Sequence, residues 1–261
     1  MKKLLLLMLV IALVFSFTAC AKPAGDGGSD LAFVQDKGVL LVGITDFAPM
    51  DYKEGNEWIG FDADMARAFA EYLGVEVEFM EIDWDNKIME LDSKAIDCVW
   101  NGMTLTDEVL KAMECSNPYC DNAQVVVVPA AVADQYQDKD SIADLVFAVE
   151  SGSAGEKEVT ALGYEATAVQ NQAAALMEVA AQTADAAVID LLMAGAMIGE
   201  GTSYPDLAHT VALNSEKYGV GFRKGSDLAA ELNKFFTQAY ADGSMQEFAK
   251  TYGVQDSLIA Q

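Results

Sequence analysis

Asp190 ends the apolar run AAVID (186–190) just before LLMAGAMIG, so a carboxylate stands where a buried strand gives way to a helix. Ionised there, it needs a cationic partner, because an unpaired charge taken out of water is costly. Either a ligand's ammonium or a structural lysine or arginine would answer that need. Ser153 lies in SGSAGE, a glycine-rich turn opening a helix, where backbone N–H groups and a hydroxyl suit a carboxylate. The same serine also reads as a plain helix N-cap. A third strand-to-helix mouth is NGMTLTDEVLKAM (101–113). Thr106, Asp107 and Glu108 are enough to cap its helix, and Val109 fills the first turn, where a cation would serve an anionic ligand.

Other chemistries find little support. His209 is the single histidine, and no nucleophile–base pair accompanies it, so the expectation is a binding protein rather than an enzyme. With four cysteines, no C-x-x-C pair and one histidine, the sequence offers no zinc site, and neither a metal nor a cofactor is expected. After Cys20 the remaining cysteines are Cys98, Cys115 and Cys120; Cys115 and Cys120 are placed to close a small loop, but a large core makes no disulfide necessary. The net charge of −25 excludes a basic nucleic-acid footprint and disfavours anionic lipid headgroups.

These groups need elements to position them. Lys2 and Lys3 precede an apolar stretch, Leu4 to Phe17, that reaches FTAC at Cys20. This reads as a secretory leader over 1–19, too short to span a bilayer. The segment AKPAGDGGSD continues it, and residues 20–35 read as a flexible tether. From Gly38 onward, apolar strands alternate with amphipathic helices: VLLVGI, DADMARAFAEYLG, VEVEFMEI, WDNKIMELDSK and AIDCVWNG. The βαβα order predicts an α/β fold with mostly parallel sheets. After the apolar run AQVVVVPA (123–130) the pattern begins again, with LVFAVESGSAGEKEVTALG and ADAAVIDLLMAGAMIG, and YGVGF followed by two helices closes the chain. Two such units predict two lobes, joined where 123–130 and 211–222 cross, with a cleft beyond the carboxyl ends of the strands.

Seven pieces in order, GVLLVGITDFAPMDY, GFDADMARAFAEYLGVEVEF, NGMTLTDE, SNPY, SGSAGE, DAAVID and YGVGFRKGSDLAAELN, resemble the family 3 solute-binding proteins, the extracytoplasmic amino-acid-binding lipoproteins of ABC importers. The resemblance covers roughly residues 38 to 254. It implies a two-lobe, type II periplasmic-binding-protein (Venus-flytrap) fold with a two-strand hinge, residues 36–128 and 222–261 forming one lobe and 129–221 the other. It also implies a monomer held by lipid on Cys20 at the outer face of the bacterial cell membrane, delivering its solute to an ABC permease with its ATPase; Phe17 departs from the usual leucine before the lipid-bearing cysteine.

By position, the resemblance makes Phe47 and Phe61 aromatic walls, although ordinary core packing suits Phe61 as well. It assigns Asn101, Gly102 and Thr104 to the ligand's α-amino or α-carboxylate group, Ser153 to the carboxylate, and Asp190 to the ammonium. The family usually carries an arginine, forked onto the ligand's carboxylate, where this chain has Val109, so that bidentate contact is missing. Three readings follow. An amino acid or close derivative binds with Ser153, Thr104 and helix-end amides on its carboxylate, assisted by Lys111 or Arg223. A carboxylate-free amine is drawn to Asp190, helped by Asp46 and the aromatic walls. Or the carboxylate is held elsewhere in the cleft. The SGSAGE turn favours an amino acid and the acidic bias favours an amine; a sensory flytrap domain is a further alternative to the importer role.

Overall fold

The computed structural model describes residues 28–261; the leader 1–19, Cys20 as lipid attachment and residues 21–27 of the tether lie outside the described residues. Two five-stranded sheets share one plan. In the first, Glu76–Glu81, Val39–Ile44 and Cys98–Val99 run parallel in that spatial order, and Gly221–Phe222 returns antiparallel between Cys98–Val99 and Glu114–Cys115. In the second, Glu165–Val169, Val146–Glu150 and Ala186–Asp190 run parallel, and Gln124–Pro129 and Leu207–Ala212 complete the sheet with antiparallel pairings. Each sheet carries helices against it and forms one lobe. Among the described residues no helix is long and apolar enough to cross a membrane.

The apolar pattern dictates these elements. Val125 to Val128 are all buried, as a strand between two neighbours in a covered sheet requires, and burying each such side chain favours folding by roughly 1.5–3 kcal/mol. The helix Phe61–Leu73 turns Phe61, Met65, Phe69 and Leu73 inward and stops at Gly74 in the left-handed region. At its start Gly60 has φ +132°, and a Cβ there would lie 2.1 Å from the Met50 carbonyl oxygen, so only glycine fits. Phe69, Trp100, Tyr119, Phe235 and Phe236 pack as an aromatic core of the first lobe.

The crossing between lobes differs from the sequence expectation. The run Gln124–Pro129 lies between Ala186–Asp190 and Leu207–Ala212 in the second sheet, so the division expected at 128/129 falls inside a strand of that lobe. The chain passes between sheets instead along Cys120–Asn122 and Glu216–Tyr218, which pair antiparallel as a separate two-stranded ribbon. The tether is also shorter than expected. Asp30–Lys37 is a helix, capped by the Ser29 side chain and closed by left-handed Gly38. Asp30 pairs with Arg223, which also meets buried Asp97 and the Ile96 carbonyl, tying this helix to the first lobe. Cys98, Cys115 and Cys120 are all free thiols.

Candidate functional site

Strand ends and helix starts from both lobes converge on a small cavity. The first lobe contributes Trp84, Lys87, Gly102, Met103, Thr104, Thr106 and Val109, and the second contributes Gln124, Gly152, Ala154, Lys157 and Asp190. The lobes are closed tightly enough to leave a cavity of only about 20 Å³. Thr104, Thr106, Ala154 and Lys157 also line an adjoining groove of about 460 Å³ that continues to Asn214 and Glu216.

Asp190 is 3% exposed. Its carboxyl accepts from Tyr218 Oη at 2.6 Å, Gln124 Nε2 at 3.0 Å, Asn122 Nδ2 and Gln172 Nε2, and the Gln172 carbonyl fixes its backbone amide. Every one of these donors is neutral. Burial, and then the neighbouring Glu216 carboxylate, push the Asp190 carboxyl up to about 8. Glu150, at the end of the adjacent strand, is also buried; burial and then Asp190 raise it to about 8, and its Oε1 lacks a hydrogen-bond partner. Asn122 and Gln124 each donate to Glu216 as well, and Thr104 Oγ1 reaches Glu216 at 2.8 Å.

Opposite these acids are two lysines. Lys87, 6% exposed, donates from Nζ to the carbonyls of Trp84 and Gly152, each at 3.0 Å, and lies 4.9 Å from the Trp84 ring centre. Among the described residues it has no carboxylate salt bridge, and burial followed by repulsion from Lys157 lowers its ammonium to about 8. Lys157, on the helix that Ser153 caps, pairs with Glu108 of the other lobe. The closed cleft therefore buries charges of both signs without pairing them fully.

The residues singled out from sequence divide into groups. Gly102, Thr104, Val109 and Asp190 come together on the cavity. The Gly102 amide is already donated to Asp62 at 2.7 Å, however, and Val109 packs in an apolar cluster with Trp84, Met103 and Met113. Asn101 does not reach the cavity. Its side chain is consumed by Thr45 and by Asp51, where Nδ2 donates at 2.7 Å, and it ties two loops of the first lobe together. Phe61 is core rather than wall, fully buried and 6.1 Å from the Tyr119 ring centre, because the first helical turn points it inward. Phe47 stands one layer behind the cavity, against Gly102 and edge-on to Tyr218 at 6.2 Å. Ser153 spends its hydroxyl on the Glu156 amide at 3.1 Å, while its neighbours Gly152 and Ala154 line the cavity. Asp46 lines a different groove of about 470 Å³ between the lobes, with Tyr52, Lys53 and Met197. Arg223 is committed to Asp30 and Asp97 and takes no part in the cavity. Sequence reasoning missed Lys87, Lys157, Gln124 and Glu216; the lysines sit on amphipathic helices, where a solvated face explains them equally well.

Known proteins place this architecture. ArtP of Bacillus subtilis (strain 168), an arginine-binding extracellular protein, is 31% identical over 97% of this chain and 98% of its own length. TcyJ of Escherichia coli (strain K12), an L-cystine-binding protein, is 27% identical over 94% of each. Among solved structures, a mutant of ArgBP from T. maritima matches with a TM-score of 0.80 at 30% identity, over 85% of this chain and 98% of the other. A substrate-binding protein of an ABC uptake transporter from Streptococcus pneumoniae, with bound histidine, also gives 0.80, at 29% identity over 88% and 98%. An ancestral amino-acid-binding protein described as a precursor of cyclohexadienyl dehydratase gives 0.78 at 30% identity, over 86% and 99%. The family model for bacterial extracellular solute-binding proteins, family 3, matches residues 40–255, from the first strand of the first lobe to the turn after its last helix, and this chain belongs to that family.

Proposed function

We propose that this protein captures a small polar L-α-amino acid or close derivative outside the cell, anchored by lipid at Cys20, and delivers it to the permease and ATPase of an ABC importer. The ammonium is received by Asp190, and the carboxylate by Lys87 and Lys157 in place of the arginine that Val109 displaces. One observation carries this reading: Lys87 of one lobe and Asp190 of the other line the same cavity, and among the described residues neither forms a salt bridge with an opposite charge. A zwitterion supplies both missing counterions, whereas a carboxylate-free amine leaves Lys87 buried without one. That arginine, cystine and histidine appear in the names of related binding proteins supports an amino acid. Because ligand contacts come from both lobes, binding favours the closed form.

The test is a thermal-shift comparison of amino acids with their decarboxylated amines, L-arginine with agmatine and L-histidine with histamine among them. An amino acid at a hundred times its Kd stabilises the folded state by about 2.7 kcal/mol, and the matching amine gives little shift. Equal or greater stabilisation by the amines overturns the carboxylate assignment.

A further inference from the structure

We propose that Glu108 is a specificity-determining residue that acts as a competing carboxylate: it holds Lys157 until the carboxylate of an incoming amino acid takes its place, and so limits how strongly the site prefers an amino acid to the matching amine. This rests on the amino-acid reading above. Glu108 lies in the first turn of the helix Asp107–Ala112 of the first lobe, and Lys157 near the start of the helix Ala154–Leu162 of the second. Their ion pair crosses the cleft. Lys157 also lines the cavity, together with Lys87 and Asp190. Among the described residues no other carboxylate comes within salt-bridge distance of Lys157.

The helix start decides which way these residues face. Thr106 caps it, its Oγ1 accepting from the Val109 amide at 3.2 Å, and Val109 turns into the apolar cluster of Trp84, Met103 and Met113. Glu108, one residue earlier and so about 100° around the helix, reaches Lys157 with its side chain 62% exposed. The two cavity lysines are therefore not equivalent. Lys87 is 6% exposed and fixed by the carbonyls of Trp84 and Gly152, whereas the Lys157 side chain is 42% exposed and held by one carboxylate. A cavity of about 20 Å³ has room for little more than one water. A ligand carboxylate enters only as a lining side chain gives way, and the exposed, singly held Lys157 is the one that can swing.

Two carboxylates drawn to one ammonium also repel each other. An amino acid must therefore win Lys157 from Glu108, while a decarboxylated amine leaves the ion pair intact and keeps it as a fastening between the lobes. Neutralising Glu108 frees Lys157 for the amino acid and takes that fastening from the amine. Both effects move the preference the same way. An ion pair this exposed corresponds to a factor of about two to five in an equilibrium.

The test is calorimetry with whichever of the twenty amino acids binds most tightly and with its decarboxylated amine, on wild type, Glu108→Gln, Lys157→Met, the double variant, and Asp107→Asn. Asp107 is the control, an acid on the same helix that lines the adjoining groove with Lys157 without pairing to it. In Glu108→Gln the ratio of amine Kd to amino-acid Kd grows about two- to fivefold. Asp107→Asn leaves the ratio at its wild-type value. Lys157→Met lowers it, and adding Glu108→Gln to Lys157→Met changes it no further. An unchanged ratio in Glu108→Gln means a fastening between lobes only; an equal rise in Asp107→Asn means a general effect of charge. Either result, or a rise that persists without Lys157, overturns the competition while leaving the amino-acid assignment standing. A wild-type protein that binds the amine as tightly as the amino acid, or binds none of the twenty, overturns both.

Discussion

Replacing Lys87 with methionine separates two roles that one ammonium combines. The Lys87 ammonium lies 4.9 Å from the Trp84 ring centre and reaches across the cleft to the Gly152 carbonyl at 3.0 Å. Methionine keeps most of the stem's packing and removes the charge. Losing the interlobe bond to Gly152 weakens closure around any ligand by about 0.5–1.5 kcal/mol. Losing the partner of a bound carboxylate costs a further 1.5–3 kcal/mol or so, since that bond is charged. At about 1.4 kcal/mol per decade, the second loss alone is on the order of tenfold to 150-fold, and it falls only on ligands that carry a carboxylate. The assay is calorimetry of wild type and Lys87→Met with an amino acid and its decarboxylated amine. The expected result is a Kd ratio between the two ligands that shrinks by at least tenfold in the variant. If both ligands weaken equally, Lys87 is a fastening between lobes and nothing more. If neither weakens, the whole assignment is wrong.

Other substitutions and conditions probe the rest of the site. Gly152 has φ +72°, and a Cβ there would stand 2.7 Å from Asp85 Cα of the opposite lobe; Gly152→Ala therefore holds the lobes apart, weakening amino-acid binding tenfold or more, and small-angle scattering with saturating amino acid shows no compaction. A variant that closes and binds normally refutes that clash. Asp190→Asn keeps the shape and removes the charge, so binding loses roughly 2–5 kcal/mol while the ligand-free melting temperature at pH 7.5 holds or rises; a fall in both would mean a structural carboxylate. Burial raises Asp62 to about 7 and Glu150 and Asp190 to about 8, above their unfolded values, so each contributes stability that is complete below about pH 4 and lost as pH rises toward 8. The ligand-free protein accordingly melts at a lower temperature at pH 7.5 than at pH 5, and denaturation curves showing the reverse would refute the buried-acid account.

Much of the scaffold is readable in the residues because one period dominates each segment. VLLVGI and AAVID are continuous apolar runs and form central strands, and DADMARAFAEYLG shows its helical face and its stop at Gly74. The hinge is not readable in this way. AQVVVVPA has the pattern of any buried strand, and nothing local distinguishes one crossing between lobes from one inserted between two neighbours. The helix at Asp30 is a different failure. Ser29 as cap, Asp30 in the first turn, Lys37 in the last and Gly38 as stop are all helix signals, overridden by the Gly and Pro content of the segment before them.

The site was partly readable for a reason that also explains its gaps. Asp190, at the end of its strand, and Thr104, in the loop after Cys98–Val99, occupy positions a sequence pattern can locate, because ligands in such folds bind beyond the carboxyl ends of the strands. Lys87 and Lys157 act from the sides of helices, where the same lysine spacing serves solvation, and only closure of one lobe on the other brings them to a common wall with Val109. Val109 then ceases to be a simple deficit. An arginine at that position would have to displace the apolar packing of Trp84, Met103 and Met113, and its charge would stand beside buried Lys87 and exposed Lys157, with Glu108 as the one acid in contact with Lys157. A third cation in that wall is unfavourable without more counterion than one carboxylate supplies. Valine at 109 and lysine at 87 and 157 are consistent with one another: the apolar residue packs with Trp84, Met103 and Met113, and the two ammonium groups line the same cavity from either side of it.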